Sequence, residues 1–144
     1  MVTSKDIKAG VIWAGNVEAY ADLARDLPKG NAANPPVPSY LRPFLQEFSA
    51  QYGAPTQNPD FWRAISPNSY LADLSGPVQL HHGTADESVP FPHSQHLYQQ
   101  IQAAGKPAEF YAYEGSDHNI AQGFALAMQR SLVFFNRFVK GDVR

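Results

Sequence analysis

Three short runs of apolar, β-prone residues stand out along the chain. They are IKAGVIWAG from Ile7, PVQLHH from Pro77 and AEFYAY from Ala108, and each ends at a glycine or a polar turn. The first two runs are apolar without alternation, which is typical of parallel strands that are covered on both faces. The pattern therefore predicts three strands, of which the first two are buried on both sides.

Helical spacing follows the second of these strands. In HSQHLYQQIQAAGK, the residues Leu97, Ile101 and Ala104 recur at helical intervals, and Gly105 stands where a glycine commonly ends a helix. The order strand, helix, strand predicts a right-handed parallel crossover.

A second helical pattern lies near the end of the sequence. In NIAQGFALAMQRSLVFFNRFVKG, a stripe of apolar residues recurs at Phe124, Met128, Leu132, Phe135 and Val139. We expect this stripe to pack a long final helix onto the sheet.

The segment 16–74 differs because it is rich in proline and contains three helical patterns. These are VEAYADLARDL, PSYLRPFLQEFSAQY and NPDFWRAIS. In the last one, Asn58 is placed to cap the helix and Pro59 to occupy its first position. Such a helical excursion between two strands indicates a cap or a pocket wall, and the alternative is a plain crossover with loose loops.

These patterns predict an α/β fold in a single domain, residues 1–144. About three parallel strands with flanking helices form it, with the cap-like helical insertion 16–74 after the first strand. Residues 75–144 supply the other strands and the final helix. The length of 144 residues, with 44% hydrophobic and 17% charged residues, fits one folded domain.

Charge and composition narrow the possible partners. The net charge is −2 and the charges are well mixed, so neither nucleic acid nor an anionic membrane is indicated. No apolar stretch approaches the roughly 20 residues that span a bilayer, and the first residues lack the apolar segment of a signal peptide. We therefore expect a cytoplasmic protein. The sequence has no cysteine, which excludes disulfides, thiolate catalysis and cysteine-bound zinc.

An acid and a histidine follow two of the predicted strands. Asp86 follows the second strand and His118 follows the third, so both are expected at the carboxyl edge of the sheet, where α/β proteins form their sites. An aspartate that accepts a hydrogen bond from one imidazole nitrogen leaves the other nitrogen to take a proton from a hydroxyl nucleophile. The pair is predicted to be a catalytic acid and base, with Glu87 and Asp117 as alternative acids.

Three parts of the sequence resemble the C-terminal part of serine hydrolases of the prolyl oligopeptidase family, which have the α/β-hydrolase fold. They are SPNSYLADLSGPVQLHHGTADESVP, LYQQIQAAGKPAEFYAYEGSDHNI and AMQRSLVFFNRFVK. The resemblance implies that the strands are the sixth, seventh and eighth of the family sheet. It also implies that Asp86 and His118 match the acid and base of a Ser-Asp-His triad. The implied chemistry is acyl transfer from a peptide or ester substrate to water, which needs neither a metal nor an organic cofactor.

One element of the family pattern is missing from these residues. The nucleophilic serine of this fold lies in a G-x-S-x-G turn before the sixth strand, and no two of the ten glycines here are four apart. We therefore expect the serine on another polypeptide or on an upstream segment. The alternatives are a minimal esterase that uses Ser88 or Ser116, and a non-catalytic interaction module.

Two further expectations concern binding. Without upstream strands, the first strand is an apolar sheet edge, which favours pairing with another chain. We expect a homo-oligomer, or a complex with a complementing N-terminal chain, rather than a monomer. Phe61 and Trp62 are candidates for lining a pocket for a small-molecule ester or a peptide.

Overall fold

The computed structural model describes residues 1–27, 37 and 39–141. The strands are β1 (Gly10–Trp13), β2 (Val78–Gly83) and β3 (Ala108–Tyr113). The α-helices are α1 (Tyr20–Asp26), α2 (Arg42–Tyr52), α3 (Pro59–Ile65), α4 (Phe91–Ala103) and α5 (Phe124–Phe135). Short 3-10 helices lie at Ser39–Leu41, Pro67–Asp73 and Ala121–Gly123, and a π-helical turn at Asn136–Lys140 follows α5. The chain divides into two compact units, Met1–Asn16 with Tyr70–Arg144, and Val17–Ser69.

The first unit is built on a parallel sheet in the order β1-β2-β3. The register pairs Gly10 with Val78 at one end and Gly83 with Tyr113 at the other. The helix α4 connects β2 to β3 and packs against both strands. Three parallel strands with flanking helices are therefore confirmed.

The two strands that were expected to be covered on both faces differ from each other. Every residue of β2 is buried, as predicted, whereas every residue of β1 is only half-buried. The prediction is wrong for β1 because, among the described residues, this strand has a hydrogen-bonded neighbour on one side only, and α4 packs on the other two strands.

The final helix forms as α5, but the predicted face is largely exposed, although the Phe124 ring contacts Trp13 of β1 with 5.5 Å between ring centroids. The apolar stripe is exposed at all five of its positions, Phe124, Met128, Leu132, Phe135 and Val139. The buried positions are instead Ala127, Ser131 and Phe134. Small side chains at two of them let the helix lie close to the sheet, where the indole Nε1 of Trp13 donates a hydrogen bond to Ser131 Oγ at 3.2 Å. The stripe was thus predicted correctly as a helical face and wrongly as the buried one.

The second unit contains α1, α2 and α3, which pack around Leu23, Leu45 and Trp62. The start of α3 is as predicted, because Pro59 is its first residue and Asn58 Oδ1 accepts a hydrogen bond from the N–H of Phe61. The predicted second helical pattern begins at Pro38, which lies outside the described residues.

The face of β2 that points to α5 carries a buried polar network. His81 is fully buried, and its Nδ1 lies 2.7 Å from the hydroxyl of Tyr113. Its Nε2 lies 2.7 Å from Gln79 Oε1 and 3.2 Å from Ser131 Oγ. Burial, together with the positive charge of Arg130, lowers the pKa of His81 to about 4. The imidazole is therefore neutral at physiological pH, and both of its nitrogens have partners.

The loops that follow β2 and β3 meet at Gly83. A Cβ atom at this position would overlap the carbonyl oxygens of Ser116 and Asp117 in the loop after β3. The N–H of Ala85 donates to the carbonyl of Ser116 at 3.0 Å, which joins the two loops directly. Gly83 is thus required for the close approach of the loops, which only the absence of a side chain permits.

Replacing Gly83 with alanine should force these loops apart. We expect Gly83→Ala to lower the free energy of unfolding by about 1–3 kcal/mol, as overpacking does elsewhere, measured by urea denaturation. Gly105→Ala is the comparison, because its Cβ would meet nothing within 4 Å and only its positive φ of 70° opposes the change. An equal loss of stability in the two variants would contradict the steric role of Gly83.

The neutral state of His81 predicts how stability depends on pH. Below pH 6.5 the unfolded chain binds a proton at this ring, whereas the folded chain does not until about pH 4. The free energy of unfolding should therefore fall as the pH falls through this window, by up to about 1.4 kcal/mol per pH unit from this one group. Urea titrations across the window should show a shallower pH dependence for His81→Gln, and parallel curves would contradict the prediction.

Candidate active site

Asp86 lies in the turn after β2, and its carboxylate is held by its own loop. Oδ1 accepts hydrogen bonds from the N–H groups of Ser88 at 2.8 Å and of Val89 at 2.9 Å. Such bonds from an aspartate to the backbone two and three residues on are a common turn arrangement. The side chain is fully buried. The local sequence thus fixes the orientation of the carboxylate.

His118 lies in the loop after β3, next to a strained residue. Ile120 has a φ of 54°, in the left-handed region that β-branched residues avoid. Its side chain is fully buried beside Tyr113 and Ala127, and this packing holds the unfavourable backbone in place. The strain is stored two residues after His118, in the loop that positions it.

Asp86 and His118 are in direct contact. The Nδ1 of His118 lies 2.9 Å from Asp86 Oδ2. Because an ionised carboxylate only accepts hydrogen bonds, Nδ1 carries the proton and Nε2 is left to accept one. The ring is 43% exposed although the acid is buried. The imidazole therefore faces solvent while its Nδ1 is bonded to a buried carboxylate.

The charge of Asp86 is set by opposing effects. Burial by itself raises the pKa of this carboxyl group, but hydrogen bonds from the N–H of Val89, the ring of His118 and the N–H of Ser88 together outweigh burial. The pKa of Asp86 therefore lies below its usual value. The group is a carboxylate at neutral pH, as the partner of an imidazole N–H must be.

The two alternative acids have other surroundings. Asp117 Oδ1 accepts a hydrogen bond from the N–H of Ala121 at 3.0 Å, and Glu87 is exposed. Of the three acids named from the sequence, Asp86 is the one that the structure brings to His118.

The two candidate serines also differ. Ser116 is buried, and its Oγ has no hydrogen-bond partner within residues 1–27, 37 and 39–141. A hydroxyl in that position is closed to a substrate. Ser88 is exposed, and its backbone N–H is already one of the donors to Asp86.

The two aromatic residues proposed for a substrate pocket lie in the helical unit. Trp62 is fully buried, and its indole Nε1 donates to the carbonyl of Gly53 at 2.9 Å. Phe61 is half-buried and stacks on Tyr52 with 4.2 Å between ring centroids. These contacts give Trp62 a packing role, and substrate binding by the pair stays a prediction.

Sequence reasoning missed a second histidine beside the acid. His82 is fully buried, and its Nε2 lies 3.0 Å from Asp86 Oδ2. The two residues are four apart across the turn at Gly83. This short spacing is the feature of the sequence from which their proximity could have been predicted.

Neither a metal site nor a membrane span is found in the part of the chain that the structure describes. No group of three or more His, Asp or Glu side chains in that part is arranged to hold a metal ion. None of its helices combines the length and the apolar character needed to cross a bilayer.

Comparison with known proteins places the chain in a family of peptidases. The family model described as the prolyl oligopeptidase family matches residues 34–142. No curated protein matches the sequence.

Solved structures show the same fold. The puromycin-hydrolyzing peptidase of Mycobacterium tuberculosis superposes with a TM-score of 0.67 at 15% identity, over 96% of this chain and 19% of its own. The acylaminoacyl peptidase of Pyrococcus horikoshii gives 0.65 at 19% identity, over 99% of this chain and 22% of its own. A truncated carbohydrate esterase from gut microbiota gives 0.52 at 22% identity, over 88% of this chain and 43% of its own.

The present chain therefore spans about a fifth of the length of the two peptidases. The family model covers most of the described residues, including both strand-end loops that meet at Gly83. On this match, the chain belongs to the prolyl oligopeptidase family.

Proposed function

We propose that this chain supplies the acid, Asp86, and the base, His118, of a Ser-Asp-His triad that hydrolyses a peptide or ester bond. The observation that carries the proposal is the 2.9 Å contact between a buried carboxylate and a half-exposed imidazole at the carboxyl edge of a parallel sheet. Membership of the prolyl oligopeptidase family supports it.

The geometry suits general-base catalysis. Nε2 of His118 takes the proton of a serine hydroxyl while the serine oxygen attacks the substrate carbonyl carbon. Asp86 keeps the proton on Nδ1 and stabilises the imidazolium that forms. The imidazolium then gives its proton to the leaving amine or alcohol, and an acyl-serine remains. Water, activated by the same imidazole, releases the acid product and the serine.

The serine is proposed to come from a segment outside these 144 residues, either upstream or on a second chain. The printed sequence contains no G-x-S-x-G turn. The buried position of Ser116 weighs against the self-sufficient esterase, and Ser88 remains as its candidate nucleophile. Solved structures described as peptidases and as an esterase support the proposal of a peptide or an ester as the substrate.

A fluorophosphonate probe, which labels activated serines, tests this proposal. We expect no labelled serine in the chain alone. When the nucleophile-bearing segment of a prolyl oligopeptidase family hydrolase is supplied, we expect labelling of the serine in its G-x-S-x-G turn. Asp86→Asn should lower the labelling rate by about 10³–10⁴-fold, because the amide favours the wrong imidazole tautomer. Mass spectrometry of the labelled peptides identifies the serine.

Asp117→Asn is the matched control, because it changes the neighbouring acid, which accepts its hydrogen bond from the N–H of Ala121 and not from His118. It should leave the labelling rate unchanged. Labelling of Ser88 or Ser116 in the isolated chain would establish the self-sufficient esterase instead. No labelling under any condition, with the segment bound, would favour a non-catalytic module.

The nucleophile-bearing segment is also the partner that we propose for two uncovered surfaces of the first unit. One is the half-buried edge strand β1, and the other is the α5 apolar face. We give the latter name to the exposed stripe of Phe124, Met128, Leu132, Phe135 and Val139. Contiguous apolar surface of this kind marks interaction sites, and unpaired strand edges bind further strands. Peptidases of the same fold are about five times as long as this chain, which supports a complementing part of the domain as the occupant.

A charge on the α5 apolar face should prevent this association. Leu132 is 57% exposed, so Leu132→Asp should leave the free energy of unfolding within about 0.5 kcal/mol of the wild type. It should nevertheless lower the affinity for the supplied segment at least tenfold in analytical ultracentrifugation. Gln129→Asp, which adds the same charge outside the stripe, is the control. Self-association of the wild type that Leu132→Asp abolishes would identify a second copy as the occupant instead.

A further inference from the structure

Two imidazoles lie close to the same oxygen of the acid. Asp86 Oδ2 lies 2.9 Å from Nδ1 of His118 and 3.0 Å from Nε2 of His82. Its other oxygen accepts two backbone N–H groups. His82 is therefore a second side chain, besides His118, that the structure brings against this carboxylate.

The tautomer of His82 follows from its neighbours. Nε2 also lies 3.0 Å from the carbonyl oxygen of Val89. A carbonyl and a carboxylate are both acceptors, so Nε2 must carry a proton in either charge state of the ring. Nδ1 lies 2.7 Å from Ser94 Oγ, a hydroxyl that can donate or accept. The Phe91 ring lies nearly perpendicular to the imidazole, with 5.7 Å between ring centroids.

We propose that His82 is a positioning residue for the acid, a role that rests on the proposed function of Asp86 and His118. Its Nε2–H donates to the carbonyl of Val89, whose own N–H binds Asp86 Oδ1. The ring also lies against the acid, with Nε2 3.0 Å from Oδ2. The order Ser94, His82, Asp86, His118 then runs from the first turns of α4, through the end of β2, to the solvent-facing base. His82 is too deeply buried to touch a substrate, and it acts through the carboxylate.

Nuclear magnetic resonance of the histidine rings in the intact 144-residue chain tests this role. We expect wild-type His82 to carry its proton on Nε2, and we expect the Nδ1–H proton of His118 to be visible because it is protected by its hydrogen bond. His82→Gln keeps an N–H donor near the Nε2 position and should retain the His118 signal. His82→Phe removes the donor and should lose that signal, while the amide spectrum shows a folded chain.

Two results would overturn the proposal. One is a wild-type His82 protonated on Nδ1 and not on Nε2, a measurement that needs no variant. The other is a His118 Nδ1–H signal that is as well protected in His82→Phe as in the wild type. If the phenylalanine variant does not fold, the wild-type tautomer and the glutamine variant decide between the outcomes. These spectra do not require a nucleophilic serine. They therefore test the positioning role of His82 even if the labelling experiments reject the triad.

Discussion

The close approach of the loops after β2 and β3 is the constraint on which the candidate site depends. Parallel pairing sets Gly83 opposite Tyr113, so that both loops leave the sheet at the same level. The missing side chain of Gly83 then leaves room for the carbonyl groups of Ser116 and Asp117. Asp86 and His118 are 32 positions apart along the chain, yet they meet because the two loops cross at this glycine.

Local signals made much of this architecture predictable from the sequence. Apolar runs located the strands, and α3 begins where Asn58 and Pro59 indicated. The pair Asp86 and His118 could be inferred because parallel strands bring their carboxyl ends to one edge. Each of these predictions uses a few neighbouring residues or a rule of sheet topology. None of them requires knowledge of how distant side chains pack.

The remaining features depend on packing that periodicity does not encode. The helix α5 has two adjacent apolar faces, and the one with Ala127 and Ser131 is buried because small residues allow a close approach to the sheet. The contacts of the two adjacent histidines of β2 could not be predicted from periodicity either. His81 enters a network with α5, whereas His82 points to α4 and reaches the acid. Alternation along a strand predicts opposite faces, but the partners on each face come from the tertiary structure.

Hydrogen bonds from Ser88, Val89 and His118 hold Asp86, and these three residues belong to the same chain as the acid. Their conformational entropy is therefore lost when the chain folds, and not when a nucleophile arrives. On the proposed function, a segment that brings a serine would meet an acid and a base that are already oriented, as in pre-organised complexes whose backbones move little on binding. The onset of hydrolysis after mixing would then be limited by bimolecular encounter and would scale with partner concentration, without a slow unimolecular step to assemble the acid and base.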